Sequence, residues 1–180
     1  MTAPLRRSEF RLIAEVFAPL AADYDLAFHL QDDAAVLRPE PNQDIVVTTD
    51  CLVGGVHFLE DGDPALIGRK ALRVNLSDLA AMGARATSYV LAVALPPSVD
   101  DAWLDAFAAG LQSDRDEFVL PLIGGDVVAT SGPLTLTVTA FGVVPAGRAL
   151  RRNGAQPGDS VYVSGSIGDA ALGLKVLDGK

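Results

Sequence analysis

Four aspartates occupy places where a strand or helix ends or where burial would be costly: Asp33 ahead of "AAVL", Asp50 directly after "VVTT", Asp78 inside "VNLSDLAAMG" and Asp126 after "LIGG". Strand ends collected at one edge of a sheet lie close in space, and ligands gather there. Carboxylates so placed are hard oxygen ligands that suit Mg2+, which commonly takes one or two carboxylates and completes its octahedron with water and substrate phosphates. Thr48 and Thr49 precede Asp50 and can add hydroxyl or backbone oxygens to the same ions. The run "DIVVTTDCLV" therefore predicts a strand whose tip is a metal platform, with Asp33, Thr48, Thr49, Asp50, Asp78 and Asp126 as candidate ligands. Asp78 is the most informative of them, because the helical pattern around it is otherwise apolar and a buried carboxylate is strongly destabilising unless a cation or donors compensate it. Taken singly, each aspartate also fits a cap or a turn residue.

Other chemistries find less support. No G-x-x-x-x-G-K-[ST] and no strand-linked G-x-G-x-x-G occurs, which argues against P-loop and dinucleotide sites. "VSGSIGDAALGL" has the order strand, glycine loop, helix start that can hold an anion at a helix N-terminus, and equally the order of a plain turn. His57, one of two histidines, reads as structural and has no cysteine pair or adjacent histidine with which to build a zinc site. No Ser-His-Asp triad can be read from these residues. A single cysteine, Cys51, excludes an internal disulfide and fits a reducing compartment.

The formal charge of −9 repels polyanions, and the arginine pairs Arg6-Arg7 and Arg151-Arg152 do not offset it, so nucleic acid is excluded as an expected partner. A small anionic substrate such as a nucleotide remains open, with metal cations mediating the contact. At 180 residues and 49% hydrophobic content the chain can bury a core. "RRSEFRLIAEVF" is interrupted by Arg11 and Glu15 and reads as an amphipathic helix with Phe10, Ile13, Phe17 and Leu20 on one face, not as an export signal. No apolar run is long enough to span a membrane. A soluble, cytoplasmic protein is expected.

The elements that must position these residues alternate. "AAVLRP" and "DIVVTT" read as two strands joined by the Pro-rich "PEPNQ". Pro64 opens a helix that runs through Asp78 and ends at Gly83, with Leu66, Ala71, Val74 or Leu76, Leu79 and Met82 at helical spacing. "TSYVLAVALP" is an apolar strand, and Asp100 caps a helix whose core stripe is Trp103, Phe107 and Leu111. "EFVLPLIGGD" is a strand ending at Asp126, and "LTLTVTAFGVVP" alternates as a half-exposed strand does. The fold class expected is α+β, an α/β sandwich with a mixed sheet packed by helices. A boundary falls near "PAGRALRRNGAQPGD", which divides the chain into residues 1–148 and a segment 149–180 holding a strand, a glycine-rich loop and a helix. That segment is too short to close a domain and reads as the start of a second one.

The quoted stretches "DDAAVL", "VVTTDCLVGGVHF", "GRKALRVNLSDLAAMGA", "LIGGD", "GRALRRNGAQPGD" and "VYVSGSIGDAALGL" stand in the order and approximate spacing of the thiamine-monophosphate kinase family, within the aminoimidazole ribonucleotide synthetase-like ATP-binding superfamily, and the chain resembles it throughout. The resemblance implies an N-terminal ATP-binding domain and in-line transfer of the γ-phosphoryl of ATP onto thiamine monophosphate, assisted by several Mg2+ ions and without a phospho-enzyme. It implies metal binding by Asp33, Thr48, Thr49, Asp50, Asp78 and Asp126, nucleotide contacts from Gly125, Asp126 and Arg152, and a substrate contact from His57, against the structural reading of that histidine. It also implies a homodimer with ATP near the interface, and a portion that turns over slowly without the second domain. Two departures stand out: Gln31 replaces the glycine usual before the paired aspartates, and "VVATSG" follows "GGD" where Thr-Thr-Arg-Gly is usual. The alternatives are another ATP-dependent enzyme of the superfamily, of the selenophosphate synthetase or hydrogenase maturation type, and a dimerising metal-binding remnant without catalysis.

Overall fold

Alternating β-branched and small residues form four strands in the computed structural model, which describes residues 7–163, 165–177 and 179. They are β1 (Gln43–Val53), β2 (Arg85–Leu95), β3 (Leu122–Ala129) and β4 (Thr135–Pro145), in the sheet order β1-β4-β2-β3. β4 pairs antiparallel with both β1 and β2, while β3 lies parallel to β2. A parallel neighbour needs a crossover, and α3 (Asp101–Phe118) supplies it. Helix α2 (Pro64–Ala81) lies beside α3 on the same face, so the core is a two-layer sandwich of helices on a mixed sheet, as the α+β reading expects.

Both long helices begin where side-chain chemistry satisfies their free N–H groups. Asp63 Oδ1 accepts from Ala65 N at 2.9 Å, with Pro64 at the first helical position, and Asp100 Oδ1 accepts from Trp103 N at 2.8 Å. Gly83, in the left-handed region at φ +69°, turns the chain after α2. The buried stripe of α2 is Ile67, Ala71, Leu72, Asn75 and Leu79, and that of α3 is Leu104, Phe107 and Leu111. They cover Tyr89, Leu91, Val93, Leu136, Val138 and Ala140 of the sheet. Burial pushes the Tyr89 phenol well above its ordinary value, so it stays neutral.

The helices cross at backbone contact. A Cβ on Gly110 would stand 2.0 Å from Ala65 O, and one on Gly68 would stand 2.6 Å from Phe107 O. Beside the crossing, fully buried Asp114 accepts from Arg69 Nε at 3.0 Å and from Arg73 Nε and Nη2 at 2.8 Å each. This pairing ties α2 to α3 and compensates the buried carboxylate.

The N-terminal segment departs from its expected form. The helix starts as α1 (Glu9–Leu12), widens to a π-helical stretch over Ile13–Phe17 and tightens to a 3-10 turn over Ala18–Ala21. The wide turn rotates the register, so Leu12, Val16, Phe17 and Leu20 are buried while Phe10 is 84% exposed. "AAVLRP" forms no strand. Val36 N donates to Leu26 O at 2.9 Å and Tyr24 Oη to Val36 O at 3.0 Å, so the stretch is tied to the preceding 3-10 turn, Asp25–Leu30. Its Ala35 and Leu37 cover Ile123, Val90 and Phe141 on the face of the sheet away from the helices. "EFVLPLIGGD" is likewise divided: Glu117 and Phe118 finish α3, Val119 turns at φ 53°, and β3 starts only at Leu122. Arg73 explains the extra helical turn, since it pairs with Glu117 at 2.7 Å and lies over the Phe118 ring. Residues 160–163 form no strand, Ser164 lies outside the described residues, and α4 (Asp169–Leu177) closes the described elements with no buried residue.

Arg7 docks the N-terminal segment on α3: its Nη1 and Nη2 donate to the two oxygens of Asp105 at 2.6 and 2.9 Å, and its backbone N to Asp101 Oδ1 at 2.9 Å. The hydrogen bond from Arg7, followed by its charge, holds the Asp105 carboxyl below the usual carboxylate range. A depressed folded value contributes stability above the unfolded titration and loses it as pH falls through the folded one. The stability gap between the wild type and Arg7→Met is therefore expected to be full above about pH 5 and to close on acidification, as urea titrations across that range would measure. Gly110→Ala is expected to lower the unfolding free energy by about 2 kcal/mol in the same assay, because backbone must move to admit the methyl group.

Candidate functional site

β1 is an edge strand, and its alternation sorts the predicted ligands by face. Val46, Thr48, Asp50 and Leu52 point to the helix side, while Ile45, Val47, Thr49 and Cys51 point to the other, with Val47 56% exposed. Thr48 to Asp50 thus lie within β1 and not at its tip, because the ladder with β4 continues as far as Val53 opposite Thr135. On the helix side Thr48 Oγ1 donates to Asp78 Oδ2 at 2.8 Å. Asp78 is exposed, contrary to the burial expected of it: it lies beside the Asn75–Leu79 stripe of α2, over the edge of the sheet, and a hydroxyl satisfies it there without a cation. Asp50 stands two residues along the same face of β1, half-buried. Thr49 faces away; its Oγ1 donates to Val138 O at 3.1 Å and lies 3.0 Å from Thr139 Oγ1 across the strands.

The other predicted residues gather at the opposite edge. Asp33 and Asp126 line one cleft of about 190 Å³, together with Gly125, Asp32 and Glu9, between the N-terminal segment and β3. Ile13, Phe17 and Leu30 form its apolar wall. Gly125 is required by packing, since a Cβ there would stand 1.9 Å from Leu91 O. By register Asp126 shares a row with Ala92, Thr137 and Cys51, and Asp50 shares the next row with Val138, Leu91 and Gly125. With β4 and β2 between them, β1 and β3 are three strand spacings apart, about 14 Å. The six candidate ligands therefore form two groups, Thr48, Asp50 and Asp78 at one edge and Asp33 and Asp126 at the other, with Thr49 on the far face. Among the described residues no three of His, Cys, Asp or Glu come together as a metal cage.

His57 follows β1 in a tight turn and is exposed; its Nδ1 accepts from Val53 N at 2.9 Å. Arg152 is exposed on the loop after β4, and Leu150, two residues earlier, donates its N–H to Met82 O at 2.9 Å. That contact brings the loop to the Asp78 end of α2. Sequence reasoning passed over Lys70, whose ammonium donates to the His57 carbonyl, although its place eight residues before Asp78 puts both on one stripe of α2.

Comparison with known proteins places this geometry. Residues 31–144 match the model of the family described as AIR synthase related protein, N-terminal domain. The chain belongs to that family. The thiamine-monophosphate kinase of Caulobacter vibrioides is 47% identical over 93% of this chain and 47% of its own length. The crystal structure of the thiamine-monophosphate kinase from Stenotrophomonas maltophilia K279a superposes with a TM-score of 0.83 at 44% identity, over 96% of this chain and 54% of that one. AaThiL complexed with AMPPCP and TMP superposes at 0.73 with 28% identity, over 99% of this chain and 56% of that one. The chain spans about half the length of the curated relatives it matches. A hydrogenase maturation protein, HypE, at 24% identity and a TM-score of 0.76, shares the fold. Among the described residues no helix is long and apolar enough to cross a membrane.

Asp78 is exposed, and an amide oxygen can accept from the Thr48 hydroxyl in place of its carboxylate. Asp78→Asn is expected to change the unfolding free energy by less than about 0.5 kcal/mol, measured by urea unfolding without ligand.

Proposed function

We propose that this chain is the ATP- and Mg2+-binding portion of a thiamine-monophosphate kinase, in which residues 1–148 bind nucleotide and dimerise and residues 149–180 begin a second domain. The observation that carries the reading is the Thr48–Asp78 pair at 2.8 Å, with Asp50 beside it on the same edge. Likeness to kinases at 47% identity and to AaThiL complexed with AMPPCP and TMP supports the substrates. The division of the chain is supported by Val161 and Tyr162, 94% and 90% exposed, and by an α4 that buries nothing. An ATP substrate supports a cytoplasmic location.

The donor set fits the ion. Thr48, Asp50 and Asp78 offer only hard oxygens, and one or two carboxylates with substrate phosphates are what Mg2+ takes. When bound, Mg2+ would neutralise the charge that builds as the bond from the γ-phosphorus to the β-phosphate oxygen breaks and the bond to the acceptor phosphate forms. In this proposal Thr48 would orient the Asp78 carboxylate for the ion, Asp50 would supply the second carboxylate, and Gly125 and Asp126 would meet the nucleotide. The Nε2–H of His57 donates to the acceptor substrate. Arg152, close to the Asp78 end of α2, meets the nucleotide.

A homodimer resolves the separation of the two groups. Two four-stranded sheets that close on each other bring β3 of one copy beside β1 of the other, reducing about 14 Å to one strand spacing of about 4.8 Å. Asp33 and Asp126 of one copy then lie beside β1 of the second, with Asp126 on the inward face shared by Cys51, Val47 and Ile45 and the Thr48, Asp50 and Asp78 group on the helix side of the same edge.

Calorimetric titration of the chain with an ATP analogue, with and without Mg2+, tests the reading. Mg2+-dependent binding that Asp50→Asn and Asp126→Asn each abolish is the expected result. Dimerisation without binding at millimolar ligand would overturn it in favour of a non-catalytic remnant.

A further inference from the structure

We propose that Lys70 is a positioning residue for His57: its ammonium fastens the turn that carries the imidazole to the helix that carries Asp78. The inference rests on the reading of His57 as a substrate contact.

The ring state of His57 can be read from its partner. A backbone N–H only donates, so His57 Nδ1, 2.9 Å from Val53 N, is the accepting nitrogen and the ring proton sits on Nε2. The exposed nitrogen is therefore a donor, suited to an acceptor such as a phosphate oxygen. The turn itself is closed by His57 N to Val53 O and by Gly55 N to Phe58 O, each at 2.9 Å, with Gly55 at φ +75°. Gly54 N, donating to Leu134 O at 2.9 Å, ties the start of the turn to the residue before β4, but none of these bonds anchors it to α2, the helix that carries Asp78. Lys70 Nζ, donating to His57 O from thirteen residues away, supplies that anchor. Among the described residues Lys70 takes part in no ion pair, although Asp and Glu outnumber Lys and Arg 23 to 14 in the chain.

The anchor lies on the working stripe of α2. Lys70, Val74 and Asp78 recur at every fourth residue, so Lys70 and Asp78 are about 12 Å apart along one side of the helix. Thr48 meets Asp78 at one end of this stripe and His57 meets Lys70 at the other. Helix and strand run past each other as two rails, with the carboxylates and the imidazole referenced to the same rail. A lysine is suited to this role because its long stem reaches a carbonyl across the turn while its head carries three donors.

Long-range 15N–1H spectra of the histidine rings, recorded on the wild type, Lys70→Met and Lys70→Arg, test the proposal. The wild type is expected to show His57 as a single Nε2–H tautomer. Lys70→Met is expected to mix the tautomers, to raise the hydrogen-exchange rate of the Val53 amide and to weaken thiamine monophosphate binding about ten-fold, with the melting temperature little changed; Lys70→Arg restores the single tautomer. An unchanged tautomer and unchanged Val53 exchange in Lys70→Met would overturn the proposal. If thiamine monophosphate leaves the His57 ring signals of the wild type unmoved, the substrate-contact reading fails instead, and the tautomer comparison still decides what Lys70 does.

Discussion

The approach of α2 to α3 at Gly68 and Gly110 sets the depth and rotation of α2 on the sheet, and the placement of the candidate site follows from that rotation. A helix held at backbone contact has little freedom to slide, since ridges and backbones must interlock before any side chain is placed. Asp114 adds a directional constraint through Arg69 and Arg73. With the inner stripe committed to the core, the flank bearing Lys70, Val74 and Asp78 falls over the edge of β1. Asp78 then meets Thr48, and Lys70 meets the carbonyl of His57.

The sheet order has an equally direct consequence. Inserting β4 between β1 and β2 carries β1 to one edge and leaves β3 at the other, so oxygen donors that alternate along the chain are sorted to opposite sides of the molecule. Among the described residues neither edge has a further strand beside it, and β1 adds exposed Ile45 and Val47 on the face away from the helices. Such edges and faces favour strand pairing with another chain.

The N-terminal segment works as the wall of the second edge. Arg7 fixes its beginning to α3, and Arg115 holds its middle through Leu20 O at 3.0 Å and through Asp23. Ala35 and Leu37 then lay the chain across Ile123 and Phe141, so that Asp33 reaches the cleft beside Asp126 from the loop side. Three charged anchors and a small apolar patch thus do for this segment what a ladder does for a strand.

The amino-acid sequence by itself determined the order of elements from β1 to β4, the two long helices with Pro64 opening one and Asp100 capping the other, the stop at Gly83, and the strands around Ile45, Val90 and Val138. These rest on local rules: period, capping, and the conformations open to glycine and proline. Only tertiary structure decided the rest. A π-helical turn moved the buried face from Phe10 to Leu12, Arg73 drew Glu117 and Phe118 into α3, and Val36 bonded to Leu26 and Tyr24 in place of a strand ladder. Asp78 read as buried because its neighbours are apolar, yet burial depends on which stripe of a helix meets the sheet. Whether Asp50 and Asp126 share an edge depends in turn on strand order, a property of the whole sheet that no single segment encodes.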